Sequence, residues 1–383
     1  MNAQPLYDLT PLASLLLVGA LLALGPLAWV YWRNRHHAPL QRAQALRLFT
    51  LFLTFDLILF GAFTRLTDSG LGCPDWPGCY GSTSPLGAQH AIAAEQAAMP
   101  TGPVTQAKAW IEMLHRYLAT GVGALIVAMT LTSWLQWRIS ARAGGKPSPG
   151  ALSPWWATFT LFWVCLQGAF GALTVTMKLF PAIVTLHLAG ALVLLALLAL
   201  QVVRGNPTPP SRVLPAGLRR WLVLGFALLW VQILLGGWVS TNYAVLACSD
   251  FPQCQGRWWP EMNFSQGFEL WRHLGVTGTG EPLDFSALTA IHYVHRLMAY
   301  LVLVVLALLA WQLNRSDAWR NPSRALAALV GLQLATGLSN VVLDWPLLAA
   351  LLHTGGAAAL VLTLTWTLAG SASSAPQQAG RLP

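Results

Sequence analysis

Charged side chains are scarce in this chain: Asp, Glu, Lys and Arg make up 9% of its 383 residues, whereas 55% of the residues are hydrophobic. So little charge, at a mean hydropathy of +0.55, excludes an ordinary soluble domain and predicts an integral membrane protein. In a soluble protein the net charge of +9 would suggest nucleic-acid binding. Here the basic residues lie in short loops between apolar runs, so we expect them to set topology and expect no nucleic-acid partner.

The N-terminus lacks the features of a cleaved targeting segment. No basic region precedes the first apolar run, Asp8 lies ahead of it and Arg33 follows it at once. An arginine-rich, acid-poor transit sequence is missing as well. We therefore expect the first run to remain as a membrane span, in a bacterial plasma membrane rather than an organelle.

Nine apolar runs are each long enough to cross a hydrocarbon core of about 30 Å. They lie near residues 12–32, 46–66, 111–137, 155–176, 182–203, 220–241, 290–313, 324–343 and 347–370. Basic residues concentrate in alternate loops: Arg33, Arg35, Arg42 and Arg47; Arg138, Arg142 and Lys146; Arg204, Arg212, Arg219 and Arg220; and Arg315, Arg320 and Arg324. By the positive-inside rule these loops are cytoplasmic, so we expect the N-terminus outside and the C-terminus inside.

Two internal alignments indicate a tandem repeat. At an offset of 175 residues, glycine, cysteine and proline positions coincide around the two large outer loops: Gly61/Gly236, Cys73/Cys248, Pro77/Pro252, Cys79/Cys254 and Gly81/Gly256. At an offset of 166, the positions that coincide include Gln167/Gln333, Gly171/Gly337 and His187/His353. The predicted fold is an all-α membrane protein built from two four-helix bundles plus one extra N-terminal span.

The repeat predicts five segments along the chain. Residues 1–45 form the extra span and its loop, 46–203 the first bundle, 204–219 a Pro-rich cytoplasmic linker, 220–370 the second bundle and 371–383 a disordered cytoplasmic tail. Because each bundle has an even number of spans, both copies insert the same way up. The two glutamines of the second alignment are expected to make interhelical hydrogen bonds.

Four histidines occupy matching places near the outer ends of spans. His115 and His187 belong to the first bundle, and His295 and His353 to the second. A histidine pair on facing helices of a bundle can ligate a haem iron from both sides through neutral imidazoles. The simpler interpretation, interhelical hydrogen bonds in a transporter, explains one histidine better than four matched ones. Zinc is disfavoured because neither pair has a third or fourth ligand at suitable spacing.

Charged residues accompany the first histidine of each pair. Arg116 and Arg296 follow it directly and could meet haem propionates in bidentate pairs, or else extend to lipid headgroups. Glu112 lies three residues before His115, on the same helical face, and His292 takes that place in the second copy. A buried carboxylate beside a porphyrin can exchange protons during oxidation, so we expect the first bundle to carry the reaction and the second to handle electrons.

Four of the five cysteines form two outer pairs, Cys73 with Cys79 and Cys248 with Cys254. On the oxidising side of the membrane we expect both pairs to be disulfides. Loops this small yield only about 2 to 2.5 kcal/mol of stabilisation. The pairs are thus expected to shape the loops, with electron exchange as the alternative.

Taken together, the stretch from Gly70 to Gly81, Glu112-x-x-His115-Arg116 and His295-Arg296, with His187, His353 and the second cysteine pair, resembles the haem A synthase family over residues 46–370. The resemblance implies oxidation of the C8 methyl group of haem O to a formyl group, which gives haem A for cytochrome oxidase. It implies the substrate haem, haem O or haem A, on His115 and His187 and a haem b cofactor on His295 and His353. It also implies Glu112 as the catalytic carboxylate and a functional role for the Cys73/Cys79 loop.

The expected partners are haem O, haem O synthase, cytochrome oxidase assembly factors and the lipid bilayer, with a homo-oligomer as an option. Neither the oxygen source nor the electron acceptor follows from the sequence. Three competing functions stay open: a dihaem b-type electron-transfer protein, a quinone-linked thiol oxidase that uses the outer cysteine pairs, and a haem-free transporter. The first predicts no chemical change in either haem, and the second predicts that His295 is dispensable.

Overall fold

The computed structural model describes residues 10–142, 151–206 and 212–373. Within those residues, nine helices are long and apolar enough to cross a membrane, which confirms the predicted all-α integral membrane protein. The helices are α1 Thr10–Arg33, α2 Pro39–Leu66, α3 Gln89–Ala98, α4 Gln106–Arg142, α5 Pro154–Thr176, α6 Pro181–Arg204, α7 Ala216–Thr241, α8 Phe264–Gly267, α9 Phe285–Asn314, α10 Arg320–Val342 and α11 Leu347–Ala369. Single 3₁₀ turns lie at Ala244–Leu246 and Asp317–Trp319.

Several helices extend beyond the apolar runs that predicted them. α2 begins at Pro39 rather than near residue 46, and α4 spans 37 residues. Hydropathy marks only the part of a helix that lies in hydrocarbon, whereas the backbone hydrogen-bond ladder continues into polar flanks. Proline marks three of the starts, at Pro39, Pro154 and Pro181, because the first helical turn needs no N–H donor from that residue.

The described chain divides into two compact units. The first contains residues 10–142, 153–194 and 269–282; the second contains 151–152, 195–206, 212–268 and 283–373. In the first unit α4 packs against α1, α2 and α5; in the second α9 packs against α7 and α10, and α10 against α11. The tandem repeat, with its boundaries at 46–203 and 220–370, stays a prediction.

One expectation for the tail is wrong. Ser371–Ser373 forms a strand, β2, paired in parallel with β1 at Arg212–Leu214 in the predicted linker. Arg219 secures this end of the chain by donating to the Leu368 carbonyl and to the Ser371 hydroxyl. The pairing joins segments far apart in sequence and too short to show a strand pattern. Lys146, the linker residues 207–211, the tail residues 374–383 and residues 1–9 lie outside the described ranges.

Candidate functional site: two histidine pairs beneath disulfide loops

In the first unit each candidate histidine ring lies against a glycine of a neighbouring helix. A Cβ placed on Gly61 of α2 would lie 2.9 Å from Nε2 of His115 on α4. A Cβ on Gly171 of α5 would lie 3.5 Å from Cε1 of His187 on α6. A side chain at Gly61 would therefore crowd the His115 ring, whereas a Cβ at Gly171 would meet the His187 ring at ordinary van der Waals distance.

The second unit repeats this arrangement. A Cβ on Gly236 of α7 would lie 3.0 Å from Cε1 of His295 on α9. A Cβ on Gly337 of α10 would lie 3.3 Å from Cε1 of His353 on α11. These four glycines are the aligned positions of the sequence repeat, although the sequence alone assigned them no task.

The structure brings the histidines together in the predicted pairs. His115 and His187 are close enough for a charge on one ring to act on the other, and the same holds for His295 and His353. All four residues are half-buried. Paired imidazoles within a helical bundle that keep part of their surface open can accept a flat ligand between them.

The two pairs differ in the hydrogen bonds that hold their rings. In the second unit the Gln232 amide nitrogen lies 3.1 Å from Nδ1 of His295, and the Thr336 hydroxyl lies 2.9 Å from Nδ1 of His353. Gln333 also donates to the His353 backbone carbonyl at 3.0 Å, which confirms its predicted interhelical bond. The Thr336 hydroxyl donates to the Leu332 carbonyl, so it can accept the Nδ1–H of His353, which orients that imidazole and leaves its Nε2 to face a metal. The Gln232 amide nitrogen is itself a donor and also lies 3.4 Å from Nε2 of His295.

No such bonds hold the histidines of the first unit. Neither the His115 ring nor the His187 ring forms a hydrogen bond with the described residues, and Nδ1 of His187 is buried without a partner. His115 instead stacks on Phe60, with ring centroids 6.3 Å apart. Gln167 does not form its predicted bond: its Oε1 is buried and unpaired, and the side chain lies against Gly190 of α6.

Glu112 links the first histidine helix to the disulfide loop. Its side chain is only 4% exposed. Oε2 accepts the backbone N–H of Cys73 at 2.8 Å, and Oε1 pairs with Arg116. The carboxylate therefore lies one helical turn from His115, fixed by one amide and one guanidinium.

His292 does the same anchoring work in the second unit. Nδ1 of its buried ring accepts a hydrogen bond from the backbone N–H of Cys248, at a distance of 3.3 Å. The contact matches the one between Cys73 and Glu112, so both copies hold a loop amide from the same helical position. Only the first copy does so with a carboxylate.

The two arginines bind loop carbonyls. Arg116 donates to the carbonyls of Asp75, Pro77 and Gly78, the last at 2.6 Å. Arg296 donates to those of Asp250, Gln253 and Cys248, at 2.8 to 3.0 Å. Each guanidinium thus clamps its disulfide loop to its helix, an arrangement that the sequence did not predict.

Both cysteine pairs are disulfides, as predicted. The Cα atoms are 4.9 Å apart in Cys73–Cys79 and 4.7 Å apart in Cys248–Cys254. All four residues are fully buried. The disulfides therefore lie inside the loops that the arginines and the anchoring residues hold against α4 and α9.

An aspartate closes each loop in the same way. Asp75 accepts the backbone N–H groups of Tyr80 and Gly81, and Asp250 accepts those of Gln255 and Gly256. Burial raises the pKa of Asp250, but these two amides and the charge of Arg296 outweigh it, so the pKa lies below the usual aspartate range.

Comparison with known proteins identifies the family. Residues 44–365 match the family model described as cytochrome oxidase assembly protein. The chain belongs to this family. Among the relatives of this chain, the Heme A synthase of Shewanella oneidensis is 38% identical over 320 residues, covering 82% of this chain and 92% of that protein.

Two more distant relatives bear the same name. The Heme A synthase of Halalkalibacterium halodurans is 26% identical over 338 residues, covering 85% of this chain and 94% of its own length. The Heme A synthase of Caulobacter vibrioides is 27% identical over 339 residues, covering 82% and 91%. The matched family region begins after α1.

The side chains present suit a haem better than a bare metal ion. No group of three or more His, Cys, Asp or Glu side chains converges as a metal site in the described part of the chain. A haem iron needs only two protein ligands, because the porphyrin supplies the other four. The unpaired Nδ1 of His187 and the ring orientation set by Thr336 at His353 both fit that coordination.

Two hydrogen bonds made by tyrosine hydroxyl groups were not predicted from the sequence. Tyr117 donates to the carbonyl of Thr83, and Tyr293 donates to that of Trp258. The two carbonyls match at the 175-residue offset, but one tyrosine follows its histidine and the other precedes it. A search for identical residues at aligned positions therefore could not have found the pair.

Proposed function

We propose that this chain is a haem A synthase that oxidises the C8 methyl group of haem O to a formyl group. The overall change adds one oxygen atom from water or O₂ in place of two hydrogens and removes four electrons from the methyl carbon. Membership of the cytochrome oxidase assembly protein family supports this proposal, as do the names of the relatives. The geometry of the two histidine pairs supports a division of labour between the units.

The unequal hydrogen bonding of the histidine pairs carries the proposal. Partners at Nδ1 raise the basicity of a ligating imidazole, and losing one typically weakens metal binding about 10- to 100-fold. His353 has such a partner in the Thr336 hydroxyl and His295 is contacted by the Gln232 amide nitrogen, whereas the rings of His115 and His187 form no hydrogen bond with the described residues. A permanent haem b suits the pair His295 and His353, and an exchangeable haem O suits the pair His115 and His187.

Glu112 distinguishes the proposed substrate site from the cofactor site. When bound, the haem b cofactor supplies a redox centre. Glu112 lies one turn from His115, held by the Cys73 amide and by Arg116, in surroundings that exclude water. We assign it the role of taking up a proton at a carboxylate oxygen as the methyl group is oxidised.

We propose that the main role of Arg116 and Arg296 is to hold the disulfide loops against their helices. The Nη atoms of both residues already bind backbone carbonyls, so a propionate could reach those atoms only by sharing or displacing those bonds, whereas Nε of Arg296 is buried without a partner. The sequence-based role of both residues at the propionates stays a proposal. So do the outside location of the N-terminus, the cytoplasmic C-terminus, and partners such as haem O synthase and the oxidase assembly factors.

The test is production of haem A in a bacterial host that makes haem O but lacks a haem A synthase. Membranes carrying the wild-type chain should contain haem A after acid-acetone extraction, chromatography and mass analysis. His187→Ala should abolish haem A while the purified protein keeps its haem b. His353→Ala should lose haem b as well.

Other outcomes identify the competing functions. Two equivalents of haem b with no haem A would indicate an electron-transfer protein and refute the proposal. Haem A formation in a variant that lacks His353 would refute the assignment of the cofactor site.

A further inference from the structure

Helix α1 lies outside the family match at 44–365 yet packs closely against α4. The contact depends on small residues. A Cβ on Gly19 would lie 2.8 Å from the backbone carbonyl carbon of Thr120, and one on Gly121 would lie 3.7 Å from Cβ of Leu22. Close approach of this kind is typical of a specific helix pair in a membrane.

The outer end of α1 reaches the first disulfide loop. Leu15 is 7% exposed and belongs to the buried cluster that contains Cys73 and Cys79, and Val18 packs on the same cluster. A Cβ on Gly78, inside the loop, would lie 3.4 Å from Cβ of Pro11. The backbone carbonyl of Gly78 also accepts a hydrogen bond from Arg116 of α4. The loop is thus held between α1 and α4.

Different residues pack around the second disulfide. Within the second unit, the cluster around Cys248 and Cys254 contains Tyr293, with Met262 packed against it. Within the first unit, α1 contributes to the cluster at the Cys73/Cys79 loop. That loop is the one whose Cys73 amide binds Glu112.

We propose that α1 is a positioning element for the first disulfide loop. Leu15 and the Gly19 contact hold the loop on α4, so that the Cys73 N–H stays directed at the Glu112 carboxylate. The inference rests on the proposed function only in treating this loop as part of the substrate site. Its own test uses the chemistry of the disulfides, which needs no haem.

The experiment compares the reduction rates of the two disulfides in the full-length protein in detergent. Cys165 is first blocked with a maleimide, and the protein is then exposed to tris(2-carboxyethyl)phosphine for graded times. New thiols are trapped with a second maleimide and assigned by peptide mass spectrometry. Cys248–Cys254 serves as the internal reference in every sample.

The informative variants are Leu15→Ala and Gly19→Leu. Leu17→Ala is the matched control, because Leu17 is 61% exposed on the same helix. Both test variants should speed reduction of Cys73–Cys79 about tenfold, since exposure of a buried bond follows local opening. The reference disulfide should change less than about twofold, and Leu15→Met should restore the wild-type rate.

Equal acceleration of both disulfides would contradict the inference, because α1 would then act as a general stabiliser. Unchanged rates in both test variants would contradict it as well. In the haem assay, Leu15→Ala should lower haem A yield while haem b content stays constant. If the wild-type chain makes no haem A, the proposed function fails, whereas the ratio of disulfide rates still decides the role of α1.

Discussion

The most informative single change is removal of the Glu112 carboxylate. In Glu112→Ala the Cys73 N–H loses its acceptor and Arg116 loses its carboxylate partner inside the protein. Breaking a buried ion pair by removing one partner typically costs about 3 to 5 kcal/mol. Because Arg116 keeps its loop carbonyls, we expect the lower end, about 3 kcal/mol, which a protein stable by about 5 to 15 kcal/mol survives.

Two further substitutions at this position separate anchoring from chemistry. Glu112→Gln keeps an oxygen that accepts the Cys73 amide. Glu112→His copies the second unit, where His292 accepts the Cys248 amide through Nδ1. Both should hold the loop and retain haem b. Glu112→Gln has no side-chain group that takes up a proton, whereas the imidazole of Glu112→His can take one up.

The assay measures haem A yield per unit of purified protein, with haem b content from its absorption spectrum. Glu112→Ala and Glu112→Gln should lower haem A formation at least about 100-fold, since a general base contributes about 10²- to 10⁴-fold. Haem b should stay near wild-type in the Gln and His variants. Normal haem A yield from Glu112→Gln would refute the proton-transfer role and reduce Glu112 to a loop anchor.

Three other predictions concern the second unit. Gly236→Val should displace the adjacent ligand ring and lower haem b content severalfold, whereas Gly331→Val, with open space at that Cβ, should leave the haem spectrum unchanged. Thr336→Val should weaken haem b binding about 10- to 100-fold in a haem titration, because the ligand imidazole loses its Nδ1 partner. The pKa of Asp250 is lowered in the folded state, so its stabilising contribution is present above the usual aspartate range and is lost only as pH falls below it. Protection of residues 248–257 from hydrogen exchange, after correction for the pH dependence of intrinsic exchange, should therefore be lost only below the usual aspartate range, and a loss near pH 5 would contradict this.

The spans could be predicted from sequence because apolar runs long enough to cross a bilayer are rare outside membrane proteins. Their ends could not, since α2 and α4 continue beyond the apolar runs into polar sequence, where hydropathy no longer marks the helix. The pairing of β1 with β2 was missed because three-residue strands have no readable period.

At the candidate site, the repeat register was enough to select the histidines and Glu112. The partners of Arg116 and Arg296 were not predictable, because backbone carbonyls leave no mark in a sequence. Gln232 was missed for another reason: it lies outside the aligned pairs and is specific to one unit. Features that differ between the copies carry functional information that an alignment of the copies discards.

The haems that the purified protein contains decide whether it holds one permanent haem and one substrate haem in unlike sites. The protein is expressed with and without a source of haem O, and its haems are extracted, separated and quantified against protein. We expect haem b alone without haem O, and haem b together with haem O or haem A when haem O is supplied. Two equivalents of haem b under both conditions, or no haem under either, would contradict this expectation.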